Sequence, residues 1–169
     1  STKINLSNMI TEILKNYDKN RFEFEKSEII EIEGRKNLIK RCIVNIIGNG
    51  LVYGDKIKIQ IKKSINGGII FIEDNGPGIP ESEFLNVFKP FYRIDKSRGL
   101  NKSGVGLGLS IAQDIVKSHG GNITLSKSKM GGLLVKISLP FLFLFFKIYY
   151  FFLLFLYYFF KNIELISSY

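Results

Sequence analysis

Between Asn45 and Gly108 four short motifs stand in a fixed order, and they restrict the fold more than anything else in the chain. They read Asn45-Ile-Ile-Gly-Asn49-Gly-Leu-Val-Tyr53, then Asp74-Asn-Gly76-Pro-Gly78-Ile79, then Phe88-Lys-Pro90-Phe91, then Gly104-Val-Gly106-Leu-Gly108. The first is apolar apart from two asparagines one helical turn apart, so it belongs to a helix. The second follows an isoleucine-rich run and opens a glycine-rich turn on an aspartate. The fourth is another glycine-rich turn that leads into a helical pattern. A lone Gly-x-Gly would carry little weight, because such pairs occur in ordinary turns. The ordered set is what constrains the chain.

The flanking periodicities complete the outline. Leu6, Met9, Ile10, Ile13, Leu14 and Tyr17 recur at helical spacing. Phe22 and Phe24 alternate with charge, as do Ile30 and Ile32, which predicts two short half-buried strands around Lys26-Ser27. Residues 38–52 read as a long apolar helix ending near Gly54. Ile57, Ile59 and Ile61 alternate with Lys58 and Gln60, and Asn66-Gly67 turns that strand into a buried one over residues 69–72. Pro80 begins a short helix, and the polar residues 92–103 form a mobile loop. Residues 107–118 make a further helix closed by His119-Gly120-Gly121, with the lone His119 read as a cap or surface residue. Strands over 122–125 and 133–139 follow, joined by Met130-Gly131-Gly132. Helices on one face of a mixed β-sheet make an α/β two-layer sandwich.

The 169 residues leave room for one ordinary domain. The net charge of +9 comes mostly from lysines that are scattered rather than clustered. That pattern describes a solvated surface and argues against a nucleic-acid partner. Cys42 lies in an apolar helical run, so a buried thiol is expected, and one cysteine cannot close an internal disulfide. The polar, abrupt start reads as that of a fragment.

The motifs suit a magnesium–nucleotide pocket. Asn45 and Asn49 place two amides on one helix face. A neutral carbonyl oxygen from Asn49 suits Mg²⁺, which keeps several waters and shares substrate phosphates. Asp74 is an acceptor-only group and fits the exocyclic amine of adenine, whereas guanine would present a carbonyl there. Gly76 and Gly78 allow the backbone a tight turn beside the base. Gly104, Gly106 and Gly108 run straight into a helix, whose amides and dipole favour phosphate. The Gly-Lys-Ser/Thr ending of a P-loop is absent, and no strand immediately precedes the glycines as in a dinucleotide fingerprint.

From about Ile4 to Pro140 the chain resembles the ATP-binding catalytic domain of sensor histidine kinases, with their N, G1, F and G2 boxes. That domain has the Bergerat fold, within the ATPase superfamily shared with gyrase and a heat-shock chaperone. The resemblance implies ATP and Mg²⁺ as cofactors. It assigns Mg²⁺ to Asn49 and the phosphate region to Asn45, and it sets Tyr53 against the nucleotide. Asp74 would read the adenine amine, with Gly76, Gly78 and Ile79 lining the base pocket. Gly104, Gly106 and Gly108 would meet the phosphates, backed by Leu107 and Leu109. Phe88 and Phe91 would anchor a lid over residues 92–103, with Arg93 contacting phosphate or a partner domain.

ATP-hydrolysing relatives place a glutamate base four residues before the metal-binding asparagine. Asn45 stands there and cannot take a proton from water, which favours kinase over hydrolase. The implied reaction is transfer of the γ-phosphoryl group to a histidine on a separate dimerisation domain, with a response regulator downstream. The catalytic domain would sit at the cytoplasmic face, its parent kinase in the inner membrane. Three departures qualify the match. Val52 replaces the usual Lys or Arg, no histidine precedes His119, and the chain runs past Pro140. A non-catalytic ATP-binding remnant and an anti-sigma-type serine kinase are the alternatives. The expected division is a domain over 1–140 and a hydrophobic tail over 141–169. The tail's residues 141–160 are broken only by Lys147 and are long enough to span a membrane. Their Phe, Leu, Tyr, Ile and Lys composition is also that of a read-through or frameshift product, the preferred reading.

Overall fold

The computed structural model describes residues 1–25, 29–94, 105–141 and 152–156. The chain opens with β1 (Thr2–Asn5) and α1 (Leu6–Leu14), followed by β2 (Phe22–Glu25) and β3 (Glu31–Gly34). The long helix α2 (Lys36–Tyr53) leads into the hairpin of β4 (Ile57–Ser64) and β5 (Gly67–Asp74). Two short 3₁₀ turns, Glu81–Glu83 and Asn86–Phe88, stand where a short helix is expected after Pro80. Helix α3 (Gly108–Ser118), β6 (Asn122–Lys127) and β7 (Leu133–Pro140) complete the domain.

Five strands form one mixed sheet in the order β2-β4-β5-β7-β6, with β2 parallel to β4 and the other neighbours antiparallel. The remaining two, β1 and β3, pair antiparallel as a small separate sheet. The strands over Phe22–Glu25 and Glu31–Gly34 therefore part company. Alternating apolar residues identify a strand but carry no information about its partner.

The inner face of the large sheet presents Ile57, Ile59, Ile61, Ile70, Ile72, Val135, Ile137 and Leu139, all buried. Against them lie Met9, Ile10 and Ile13 of α1, Ile39, Ile43 and Ile47 of α2, and Ala112 and Val116 of α3. This is the expected two-layer sandwich. Cys42 packs inside it, and burial pushes its thiol up to about 12, so it stays protonated.

At its end, β7 runs on one residue beyond the sheet register. Phe141 donates its N–H to the Asn66 carbonyl and accepts from the Glu33 N–H, both at 3.0 Å. Among the described residues no helix is long and apolar enough to cross a membrane. Residues 152–156 are helical, while the rest of the tail, from residue 142, lies outside the described residues.

Candidate functional site

The strand period that buries Ile70 and Ile72 also buries Asp74, the last residue of β5. A carboxylate thus occupies a core position at the sheet's end, only 9% exposed. Its Oδ1 accepts from the Gly76 N–H at 2.9 Å and from the Leu133 N–H at 3.2 Å. Its Oδ2 has no hydrogen-bond partner among the described residues. Burial raises the carboxyl above the usual aspartate range, while the two backbone donors pull it back.

Glycines let three elements close around this group. A Cβ on Gly50 would come within 2.5 Å of the Ile57 side chain, so α2 could not lie so near β4 and β5. The two loop glycines are needed for different reasons. Gly78 has φ +71°, a left-handed backbone, whereas a Cβ on Gly76 would meet the Tyr53 carbonyl at 2.9 Å. Just before them, Asn75 ties the loop to the segment that follows α2, its Oδ1 accepting from the Asp55 and Lys56 N–H groups at 2.8 Å. Ile79 packs against the core below it.

On α2, Asn45 and Asn49 are half-buried, and neither amide makes a side-chain hydrogen bond among the described residues. Asn49 stands against the start of α3, since a Cβ on Gly108 would lie 3.1–3.2 Å from its amide atoms. Helix α3 begins there without a side-chain cap, so its first amides have no side-chain acceptor. Leu109 is turned inward onto the core, and Leu107 is half-buried with its carbonyl accepting from Ser110 Oγ at 2.9 Å. Gly106 has φ +78° and its carbonyl accepts from the Phe91 N–H at 3.0 Å, so the F motif and the second glycine turn touch. Phe88 packs on the core, whereas Phe91 is exposed with φ +63°. Tyr53 and Val52 are exposed at the end of α2, and Arg93 is half-buried. Gly104 and residues 95–103 of the expected lid lie outside the described residues.

No cluster of three or more His, Cys, Asp or Glu side chains stands among the described residues. A hard cation held here would rely on the Asn49 oxygen together with ligand oxygens, and the unpartnered Asn49 amide beside an uncapped helix start fits that arrangement.

Two residues at the site's supports carried no sequence signal. Arg21 grips the end of α2, donating to the Gly54 and Asp55 carbonyls at 2.9 Å, a cation at a helix C-terminus. His119 is neither a surface residue nor a simple cap, being only 1% exposed. Its Nδ1 donates to the Ile115 carbonyl at 2.7 Å and its Nε2 accepts from the Arg35 N–H at 3.1 Å, which joins the end of α3 to the start of α2. A proton on Nε2 would face that N–H donor. Burial holds the imidazole below its ordinary range.

The domain is thus a two-layer α/β sandwich in which a buried carboxylate, two asparagine amides without side-chain hydrogen bonds among the described residues and an open helix start lie towards one end of the sheet. Residues 34–142 match the family described as histidine kinase-, DNA gyrase B- and HSP90-like ATPases, and the chain belongs to it. The fold is accordingly the Bergerat fold. The chain is 37% identical over 107 residues to the sensor histidine kinase GtrS of Pseudomonas aeruginosa, covering 63% of this chain and 22% of that protein. It is 34% identical over 108 residues to the sensor histidine kinase CpxA of Escherichia coli, covering 63% and 24%. The histidine kinase domain of the E. coli osmosensor EnvZ superposes with a TM-score of 0.63 at 31% identity, over 82% of this chain and 87% of that one. The chain spans about a quarter of the length of the curated relatives it matches.

Proposed function

We propose that this domain binds Mg-ATP and presents its γ-phosphoryl group to a histidine carried by a separate helical dimerisation domain of a sensor kinase. The observation that carries the reading is the gathering, at one end of the sheet, of an Asp74 oxygen and an Asn49 amide that have no hydrogen-bond partner among the described residues, with the uncapped start of α3 beside Asn49 and Asn45 one turn back on the same helix. Asp74 Oδ2 would accept from the adenine amine, held in direction by the two N–H groups on Oδ1. Gly76, Gly78 and Ile79 would form the wall of the base pocket, with Tyr53 laid over it. Gly104, Gly106 and Gly108 would bring backbone amides to the phosphates, with Leu107 and Leu109 behind them.

Asn49 would hold Mg²⁺ through its side-chain oxygen, and the ion would neutralise charge on the phosphate oxygens. Asn45 would orient the phosphates without acting as a base, so an attacking water is not activated and the acceptor must bring its own nucleophile. Arg93 would contact phosphate or the partner domain. Pairing with a dimerisation domain and onward transfer to a response regulator follow from the same reading, as does a place at the cytoplasmic face of a membrane-bound parent. The folded unit would occupy residues 1–140, with the apolar tail over 141–169 a separate segment. Calorimetric titration tests the first step: Mg-ATP should bind, and binding should weaken when magnesium is withheld. Indifference to magnesium would overturn the role of Asn49, and absence of ATP binding would overturn the reading.

A further inference from the structure

The turn between β6 and β7 is fastened to the sheet by a carboxylate that nucleotide binding does not use. Glu73 and Asp74 are consecutive on β5 and so face opposite sides of the sheet. On the outer side, Glu73 Oε2 accepts from Ser128 Oγ at 2.9 Å and from the Lys129 N–H at 3.2 Å. Buried Ser128 accepts in turn from the Met130 N–H at 2.9 Å, and its own N–H donates to the Gly132 carbonyl at 2.9 Å. Where the turn passes into β7, the Gly132 N–H donates to the Asp74 carbonyl and the N–H of Leu133, the first residue of β7, to Asp74 Oδ1, both at 3.2 Å. Gly132 passes so close to Asp74 that a Cβ there would collide with Oδ1. Across the sheet register Glu73 faces Lys58, but Lys58 is already paired with Glu25 at 2.7 Å.

We propose that Glu73 is a positioning residue for nucleotide binding: by clasping Ser128 and Lys129 it sets the turn so that the Leu133 N–H occupies Asp74 Oδ1 and leaves Oδ2 for the base. The inference rests on the adenine assignment of Asp74 made above. Its physical content is that one backbone donor both aims the carboxylate and favours its ionised form. Asp74 is raised by burial and lowered by the Gly76 and Leu133 donors, with no charged neighbour contributing. Among the described residues the groups around it are Gly50 and the Tyr53 main chain from α2, Ile57 from β4, Gly132 from the turn and Leu133, the first residue of β7. Loosening the clasp therefore removes one of two lowering influences and leaves burial in place. The carboxyl then titrates at higher pH, and the acid limb of ATP affinity moves with it. A Glu73 that merely braced the fold would lower the melting temperature and leave both where they were.

The experiment uses the full chain in mild detergent, with Glu73→Leu removing both acceptor oxygens, Glu73→Gln keeping one, and Ser128→Ala removing one donor. Side-chain carboxyl NMR, with Asp74→Asn assigning the resonance, follows Asp74 in nucleotide-free protein, and calorimetry follows ATP affinity against pH. The Asp74 midpoint should rise most in Glu73→Leu and less in the other two. ATP affinity should fall at the acid end by about three- to tenfold, the size of one hydrogen bond, and recover at higher pH. An unmoved midpoint and acid limb in folded Glu73→Leu would overturn the proposal. Should that variant fail to fold, the same two readouts on Glu73→Gln and Ser128→Ala decide. If the parent chain does not bind ATP, the nucleotide reading falls, and the nucleotide-free titration still decides the clasp.

Discussion

Replacing Asp74 with Asn separates a ligand-reading carboxylate from a structural one, because the two roles move affinity and stability in opposite directions. The Asp74 carboxylate is buried and spends Oδ1 on two backbone N–H donors, at 2.9 and 3.2 Å. In Asp74→Asn the amide oxygen can keep those donors only by turning its NH₂ group to the place of Oδ2. A donor would then confront the adenine amine, and a charge-assisted hydrogen bond worth roughly 1.5–3 kcal/mol is lost, about ten- to a hundredfold in ATP affinity. The same change suits the guanine carbonyl, so the preference for ATP over GTP should narrow or invert. Stability should behave differently. Burial raises the Asp74 carboxyl in the folded protein, so its contribution is fully present below the unfolded value and is lost as pH rises through the folded one. At neutral pH the neutral Asn escapes that cost, and the melting temperature of nucleotide-free protein should hold or rise, the gain over the parent growing with pH. Calorimetry with both nucleotides and thermal melts at several pH values give the answer. A collapse in melting temperature with ATP and GTP weakened alike would mean that Asp74 serves the fold and not the base.

Asn49→Ala should abolish most of the magnesium dependence of ATP binding while leaving nucleotide-free stability within about 1 kcal/mol, since its amide makes no side-chain hydrogen bond among the described residues; a large drop in the melting temperature would make Asn49 structural. Val52 is 51% exposed at the end of α2, so Val52→Lys removes little packing and should tighten ATP binding severalfold at low salt, an effect that added salt suppresses; weaker binding at equal stability would show that the phosphates lie elsewhere. His119 is neutral in the fold and its folded value is depressed, so its stability is present above its ordinary value of about 6.5 and lost as pH falls through the folded one. Urea midpoints should accordingly drop below that pH in the parent, and the drop should flatten in His119→Gln.

Much of this architecture was written in local patterns. The helical spacing of Leu6, Met9, Ile10 and Ile13 reports a buried helix face directly, and all four are buried in α1. The alternation in Ile57, Ile59 and Ile61 and the Asn66-Gly67 signal located the β4–β5 hairpin, but the two-residue loop is Ile65-Asn66 and Gly67 already pairs with Ser64, so the register stands one residue from where an Asn-Gly turn would set it. Features set by distant partners were not legible. Strand β1 is four residues long and exists through its pairing with β3, and β2 joins β4 in parallel across the whole of α2. His119 sits in a His-Gly-Gly run that signals only a helix end, yet it reaches Arg35 eighty-four positions away. At the site, the candidate side chains Asn45, Asn49 and Asp74 were named from type and spacing. The supports beneath them, Arg21 on the end of α2 and Glu73 on the β6–β7 turn, carry charges indistinguishable in sequence from ordinary surface charge.

If the proposed function holds, this domain passes the γ-phosphoryl group of ATP to a histidine on a separate helical domain. Incubating the chain with ATP labelled at the γ-phosphate, magnesium and a supplied histidine-bearing dimerisation hairpin tests it most directly. Label should appear on the hairpin in an acid-labile, alkali-stable form, and it should vanish when Asn49→Ala replaces the parent. Label released only as inorganic phosphate would contradict the account, as would ATP bound by the chain with none transferred to any hairpin from its sensor-kinase relatives.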